Sequence, residues 1–143
     1  MRLLVNRRDK MMGPDQSFML RLREALEASW DSLTAYGAVK KAGNPALGQC
    51  YPTARVVQHY FPATEIIKGL VWTGEREEIH FWNGLLVSGN WYHIDFSWNQ
   101  FLFRSVVREF AVLDRHELGD SEATLERCAL LLNRVEVFLS NTV

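Results

Sequence analysis

Residues 65–97 read EIIKGLVWTGEREEIHFWNGLLVSGNWYHIDFS, and this part of the chain sets the fold class. Its side chains alternate with a period of about two, and the apolar ones are mostly β-branched or aromatic, which is typical of strands. Turn residues divide the stretch into three predicted strands at 65–73, 79–88 and 90–97. The tripeptide Ser88-Gly89-Asn90 predicts an antiparallel hairpin between the last two.

Helical patterns flank the predicted strands on both sides. The first predicted helix covers about 17–35, with Ser17 as its N-cap and its apolar face at Phe18, Leu22, Ala25, Leu26, Ser29 and Leu33. The loop at 36–47 contains glycines and Pro45. A second helix begins near Gly48-Gln49-Cys50, with Pro52 in its first turn, and stops at Pro62.

The segment after the hairpin predicts one more strand and one more helix. The short strand is expected near 110–113, and the helix begins after its cap at Asp120-Ser121. Its apolar stripe is predicted at Leu125, Cys128, Ala129, Leu132 and Leu139, widened by Leu131, Val135 and Phe138. We therefore predict one α+β domain over residues 1–143, with helices packed on a small antiparallel sheet.

Charge and composition exclude several classes of protein. Sixteen Lys and Arg residues balance seventeen Asp and Glu residues, which argues against electrostatic binding to nucleic acid or to a membrane surface. No apolar run approaches the ~20 residues of a membrane span, and the N-terminal sequence lacks a signal-peptide pattern. With two cysteines and no disulfide framework, a cytoplasmic location is expected.

Cys50 is the first candidate for chemistry. It falls in the first turn of a predicted helix, where backbone N–H groups and the helix dipole stabilise a thiolate and can hold the oxyanion of a tetrahedral intermediate. The alternative is a small buried apolar residue, which describes most free cysteines. Cys128 lies within the apolar stripe of the last helix, and for it we favour that alternative.

His80 and Asp95 supply the partners that a thiolate nucleophile needs. His80 lies on the second predicted strand and Asp95 on the third, fifteen residues later, between Ile94 and Phe96. A carboxylate in such apolar surroundings needs a partner, and an imidazole N–H is suitable. The alternative for Asp95 is an exposed residue or a turn cap at a strand end.

His93 keeps two alternatives open. It shares a strand face with Asp95 and could be the base in place of His80. His80, His93 and Asp95 could also bind zinc with an open position. No His-x-x-x-His or paired-cysteine pattern accompanies them, so we predict no metal and no cofactor.

The ordered motifs resemble the transglutaminase-like, papain-related fold. They are Gly48-Gln49-Cys50, His80-Phe81-Trp82-Asn83 and Trp91-x-x-Ile94-Asp95. The resemblance covers about residues 46–100 and implies a papain-like core. The chain lacks the length for the accessory domains of large calcium-dependent transglutaminases, which puts protein crosslinking in doubt.

A tighter resemblance, over about residues 29–135, is to the bacterial YunG-like family. It rests on Ser29-Trp30 with Thr34, Asn44-Pro45-Ala46-x-Gly48-Gln49-Cys50, Thr53-Ala54-x-x-Val57-Gln58, His80-x-Trp82-Asn83, Asp95 to Gln100-Phe101, and Leu130-Leu131-x-x-Arg134-Val135. Together the resemblances imply Cys50 as nucleophile, His80 as base and Asp95 as the residue that orients the base. His93 beside Asp95 is not part of the usual pattern.

These residues predict acyl transfer through a Cys50 thioester, as in an amidase, a peptidase or an amine acyltransferase. The Cys50 N–H, with Gln49 or an indole N–H such as that of Trp30, is expected to stabilise the oxyanion. Trp82 and Asn83 are expected to wall and orient the substrate, although Trp82 is equally well explained as a core aromatic. The expected partners are a small-molecule or peptide acyl substrate and an amine acceptor.

A module without catalysis is the alternative class of function. Nine of the seventeen aromatic residues lie between Trp72 and Phe103. If Trp72, Trp91 and Trp98 form one exposed patch, a partner-binding surface gains weight. If Cys50 is reachable from solvent and lies next to His80, catalysis gains weight.

Overall fold

A four-stranded antiparallel sheet and three α-helices make up residues 15–36, 46–101 and 103–141, the part of the chain that the computed structural model describes. The strand order is β3-β2-β1-β4. The elements in chain order are α1 (Gln16–Ser29), α2 (Cys50–Tyr60), β1 (Glu65–Trp72), β2 (Glu77–Val87), β3 (Asn90–Ile94), a 3-10 helix (Trp98–Gln100), β4 (Val106–Val112) and α3 (Glu122–Asn141). This confirms the predicted α+β class and the antiparallel sheet.

The β2–β3 hairpin forms where the sequence predicts it. Val87 pairs with Asn90, and the two residues between them, Ser88 and Gly89, have φ values of 51° and 81°. Two successive positive φ values define the type I′ turn, whose twist matches that of the flanking strands. The register of this hairpin carries His80 and the residues after β3 to neighbouring positions.

Helix α1 is shorter than predicted. Its N-cap is Asp15 rather than Ser17, because the Asp15 carboxylate accepts the Ser17 N–H at 2.9 Å. It ends at Ser29 because Asp31 and Thr34 bond to the local backbone and form a turn instead. The predicted face holds at Leu22, Ala25, Leu26 and Ser29, but Met19 joins it and Leu33 is exposed.

The apolar stripe of α3 differs from the predicted one. Leu125 and Ala129 are exposed, whereas Leu131 and Val135 are the residues buried in the core. The helix packs against α1 and α2 through its second half, so the stripe follows Leu131, Val135 and the partly buried Leu132, Phe138 and Leu139. Ser121 caps the helix as predicted, since its hydroxyl accepts the Thr124 N–H.

Two strands depart from their predicted bounds. β3 ends at Ile94, so Asp95 follows the strand rather than lying on it, and β4 is longer than expected at Val106–Val112. Most of β4 is exposed because it pairs with β1 on one side and forms an edge of the sheet. The predicted loop at 36–47 lies mostly outside the described residues, as do Asn44 and Pro45 of the motif.

Gly69 of β1 makes room for Trp82. It pairs with His80 on β2 and with Phe110 on β4, in the middle of the sheet. A Cβ at Gly69 would overlap the six-membered ring of Trp82. The indole therefore lies flat over the backbone of β1, which holds it beside His80.

No helix among the described residues combines the length and the apolar content that a bilayer crossing requires.

Candidate active site

Cys50 is the first residue of α2 and is partly exposed. The preceding residues bend into the helix at Gly48, whose φ is +76° and whose added Cβ would lie 3.3 Å from the Ala35 Cβ. Only glycine meets both conditions without strain. As the first helical residue, Cys50 has a backbone N–H without a partner inside the helix, so its thiol and this N–H lie together at the helix start.

His80 and Asp95 form a fully buried pair. The His80 Nε2 lies 2.6 Å from the Asp95 Oδ2, and neither side chain is exposed (0% for both). The other carboxylate oxygen, Oδ1, accepts the Ser97 N–H at 3.1 Å and the Ser97 hydroxyl at 3.3 Å. The buried carboxylate thus has a partner at each oxygen, which is what burial of this charge requires.

The protonation of His80 depends on both other members of the candidate triad. Burial acts to lower the pKa of His80, but the hydrogen bonds and negative charges of Asp95 and Cys50 outweigh it and raise the pKa to about 9. An imidazole whose cationic form is favoured in this way can accept the proton of a neighbouring thiol. The structure therefore brings Cys50, His80 and Asp95 together, as the sequence predicts.

Aromatic rings enclose the imidazole of His80. Trp82 stacks on it at 5.6 Å between ring centroids with an interplanar angle of 26°, and Phe101 meets it edge-on at 4.8 Å. Trp98 adds a further edge contact at 5.8 Å. Such rings exclude water and fix the orientation of the base. No contact with His80 was predicted for Trp98 or Phe101. The sequence feature that indicates such a contact is their position shortly after Asp95.

Trp82 contacts both His80 and His93. Its Nε1–H donates to the His93 Nδ1 at 2.9 Å, so His93 accepts an indole proton and has no hydrogen bond to Asp95 among the described contacts. Burial lowers the pKa of His93, which keeps this ring neutral. The alternative in which His93 is the base that Asp95 orients is therefore not supported by these contacts. No group of three or more His, Cys, Asp or Glu side chains among the described residues is arranged to hold a metal ion.

The polar groups of Gln49 and Trp30 are used within the fold. The Gln49 side-chain nitrogen donates to the Asp31 carbonyl at 2.9 Å, and its oxygen accepts from the Thr34 hydroxyl at 2.8 Å. The Trp30 Nε1–H donates to the Thr53 hydroxyl at 2.9 Å. Both side chains are at least nine-tenths buried. An oxyanion role for Trp30 would require breaking its bond, because an indole has a single N–H, and Gln49 could offer only the second hydrogen of its NH₂ group.

Asn83 links the sheet to α2. Its side-chain nitrogen donates to the Ala54 carbonyl at 2.9 Å, and the residue is 1% exposed. One position earlier on the same strand, Trp82 is equally buried. Asn83 therefore fixes the strand that carries His80 relative to the helix that begins with Cys50, and Trp82 packs against the His80 ring.

Gln100 is one of the residues that resemble the YunG-like family, and no role was predicted for it. Its side chain contacts His80 directly. Its side-chain nitrogen lies 2.7 Å from the His80 Nδ1, and its oxygen accepts the Gly48 N–H at 3.3 Å. The residue ends the 3-10 helix that follows Asp95. It therefore joins the loop before Cys50 to the imidazole.

The described geometry defines a class: an α+β domain in which a cysteine at a helix start meets a buried His–Asp pair. The model of the YunG protein family matches residues 19–140, and the chain belongs to that family. No curated protein and no solved structure matches the chain significantly.

Proposed function

We propose that this protein is a Cys–His–Asp acyl-transfer enzyme that forms a thioester on Cys50 from an amide or related acyl substrate. The observation that carries the proposal is the buried His80, bonded to Asp95 at one nitrogen and raised in pKa by both Asp95 and Cys50. A purely structural histidine does not require a carboxylate and a partly exposed thiol as its polar neighbours.

The proposed reaction has two steps. The Cys50 thiol passes its proton to the His80 Nδ1, and the thiolate attacks the substrate carbonyl. The resulting oxyanion lies near the Cys50 N–H at the start of α2. When the C–N or C–O bond breaks, the leaving group takes the proton from His80. Water or an amine then gives its proton to His80 and attacks the thioester, which releases the acyl group and restores the thiol.

We also propose that the domain is a papain-like, transglutaminase-like core. The support is the order of the parts: the cysteine begins α2, the histidine lies on β2, and the aspartate follows β3. Nothing in that order specifies the acyl acceptor. A small-molecule or peptide acyl substrate, with water or an amine as acceptor, is compatible with a thiol that is partly exposed.

Acyl-enzyme trapping with p-nitrophenyl acetate tests the proposal. We expect a burst of p-nitrophenol and a single acetyl adduct on Cys50 that hydroxylamine removes, because thioesters react readily with that nucleophile. The Cys128→Ala variant should retain the burst, and His80→Ala should lose it. Adding an amine to the trapped enzyme and identifying the product separates transfer from hydrolysis. Equal acetylation of both cysteines, or a burst unaffected by His80→Ala, would contradict the proposal.

The alternative function is a catalytically silent module that binds a partner through exposed aromatic and apolar side chains. The patch of Trp72, Trp91 and Trp98 that would favour this alternative is not formed, since Trp72 pairs with Glu77 at the beginning of β2 and Trp91 with Leu86 near its end. What favours the alternative is a different set on and before β4, in which Phe103 is fully exposed and Val106 and Phe110 are about half exposed. The two functions differ in what they require of Cys50, so the trapping experiment also separates them.

A further inference from the structure

The side-chain amide of Gln100 bridges two parts of the candidate site. Its oxygen lies 3.3 Å from the Gly48 backbone nitrogen, and its nitrogen lies 2.7 Å from the His80 Nδ1. Gly48 belongs to the bend that enters α2, two residues before Cys50. The amide therefore connects the base of the site to the backbone that positions the nucleophile.

The bridge can be made in one orientation. A backbone N–H can only donate, so the Gln100 oxygen must face Gly48 and the NH₂ group must face His80. The NH₂ group can also only donate, so the His80 Nδ1 must present a lone pair. It follows that the bridged form of His80 is the neutral ring, with its proton on Nε2 and donated to Asp95.

This assignment brings Gln100 into competition with Cys50. The His80 Nε2 is bonded to the buried Asp95 carboxylate at 2.6 Å, so Nδ1 is the nitrogen left to receive a proton from the thiol. The Gln100 NH₂ group already occupies the lone pair of that nitrogen. The amide stabilises the neutral imidazole, whereas Asp95 and Cys50 stabilise the cation.

We propose that Gln100 is a positioning residue that stabilises the neutral, Nε2-protonated form of His80 against the cation and must leave Nδ1 before Cys50 can transfer its proton. In that step the Sγ–H bond breaks, the Nδ1–H bond forms, and the electron pair stays on sulfur. The second half of this inference rests on the proposed role of Cys50, and the first half does not. The amide thus delays formation of the thiolate–imidazolium pair until the side chain is displaced.

The surroundings of His80 make its titration interpretable. The titratable groups that act on it are Asp95, from the segment after β3, and Cys50, from α2. Its ring contacts, Trp82, Trp98 and Phe101, carry no charge. His93 accepts the Trp82 Nε1–H and is a second histidine signal to be assigned.

The test is an NMR titration of ¹⁵N-histidine-labelled protein in a Cys50→Ala background, which removes the thiol. In this parent the neutral His80 ring should show the Nε2–H tautomer. Gln100→Met, which keeps the length but not the donor, should raise the His80 pKa by about one unit, the worth of one hydrogen bond. Gln100→Glu, whose carboxylate accepts from both Gly48 and a protonated Nδ1, should raise it further.

An Nδ1–H tautomer in the parent, or a pKa that is unchanged or lowered in Gln100→Met, overturns the inference. If Gln100→Met does not fold, the parent tautomer and the Gln100→Glu shift decide the question. In the chain that retains Cys50, Gln100→Met should accelerate iodoacetamide labelling of Cys50 at pH 6 several-fold. If the titrations give the expected tautomer and pKa shifts but wild-type Cys50 is never acylated, the proposed function is wrong. The proposed effect of Gln100 on the protonation of His80 is then still supported.

Discussion

Helix α2 begins between two polar clusters that each contain a cysteine, and the clusters differ in the side chains that surround the thiol. Cys50 has the buried His80–Asp95 pair beside it. On the other side, Tyr51 donates to Asp120, which also pairs with Arg55 at 3.1 Å. Burial raises the pKa of Cys128, near that second cluster, to about 11, although Arg55 acts to lower it.

The comparison shows two different surroundings for a thiol. Both clusters hold a thiol and a carboxylate, but around Cys128 burial is the main cause of the raised pKa, the Asp120 carboxylate acts in the same direction, and Arg55 opposes both. In the second cluster the groups tie α2 to the start of α3, and burial raises the pKa of Tyr51, as does its bond to Asp120. In the first cluster the carboxylate is bonded to a histidine instead and raises the pKa of that histidine.

The largest expected difference between the clusters is in thiol reactivity. At pH 7 a thiol with a pKa of about 11 is ionised in roughly one molecule in ten thousand. We expect iodoacetamide to label Cys50 on the order of a thousand times faster than Cys128. Peptide mass spectrometry after timed labelling measures both rates in one sample, and comparable rates would remove the distinction between the clusters.

In the Asp95→Asn variant, the first cluster should lose much of the thiol reactivity that distinguishes it from the second. Without the carboxylate, the His80 cation loses its main stabilising partner and the ring can adopt the wrong tautomer. We expect the rate of acyl-enzyme formation to fall on the order of a hundred-fold. Burst kinetics with p-nitrophenyl acetate measure it. Unchanged kinetics in a folded variant would mean that Asp95 is a structural residue.

The sequence predicted the three residues of the first cluster because each depends on local pattern. Cys50 comes two residues after a glycine at a helix start, His80 lies on one arm of a hairpin with a clear turn signal, and Asp95 directly follows the other arm. The first two predicted strands and the hairpin were confirmed because they also depend on local alternation and on a local turn signal.

Other features depend on contacts that no local pattern contains. The sequence does not show whether a buried amide such as that of Gln49 contacts a substrate or a backbone carbonyl. Gln100 lies in a segment without periodicity, twenty residues from the ring it contacts. The choice between His80 and His93 as the partner of Asp95 also required the structure, because strand alternation places both within reach.

Stability should depend on pH in opposite ways at the two histidines beside Trp82. The pKa of His80 is about 9 in the fold and about 6.5 unfolded. Its contribution is therefore complete below pH 6.5 and is lost as pH rises through 9, on the order of 3 kcal/mol in the free energy of unfolding. The pKa of His93 is lowered, so its contribution is lost as pH falls below 6.5.

Urea denaturation between pH 5.5 and 9.5 measures this dependence. The work is best done in a Cys128→Ala background, which removes a thiol that starts to ionise near pH 9 in the unfolded chain. His80→Gln should flatten the profile above pH 6.5. A stability that rises between pH 7 and 9 would contradict the assignment of a raised pKa to His80.

The smallest expected effect belongs to the second cluster. Tyr51→Phe removes the hydroxyl that bonds Asp120 and should cost about 1 kcal/mol of stability. Because Tyr51 lies next to Cys50 in sequence but belongs to the other cluster, the labelling rate of Cys50 should stay within about two-fold of wild type. A large change in that rate would show that the two clusters are coupled through the start of α2.

The candidate site is sensitive to mutation of Gly69. Every missense change of a glycine codon adds a Cβ, and at this position any Cβ meets the indole of Trp82. That ring stacks on His80 and donates to His93, so a single base change in β1 would disturb the candidate site without altering Cys50, His80 or Asp95. Loss-of-function alleles at codon 69 are therefore expected to resemble those at codon 80.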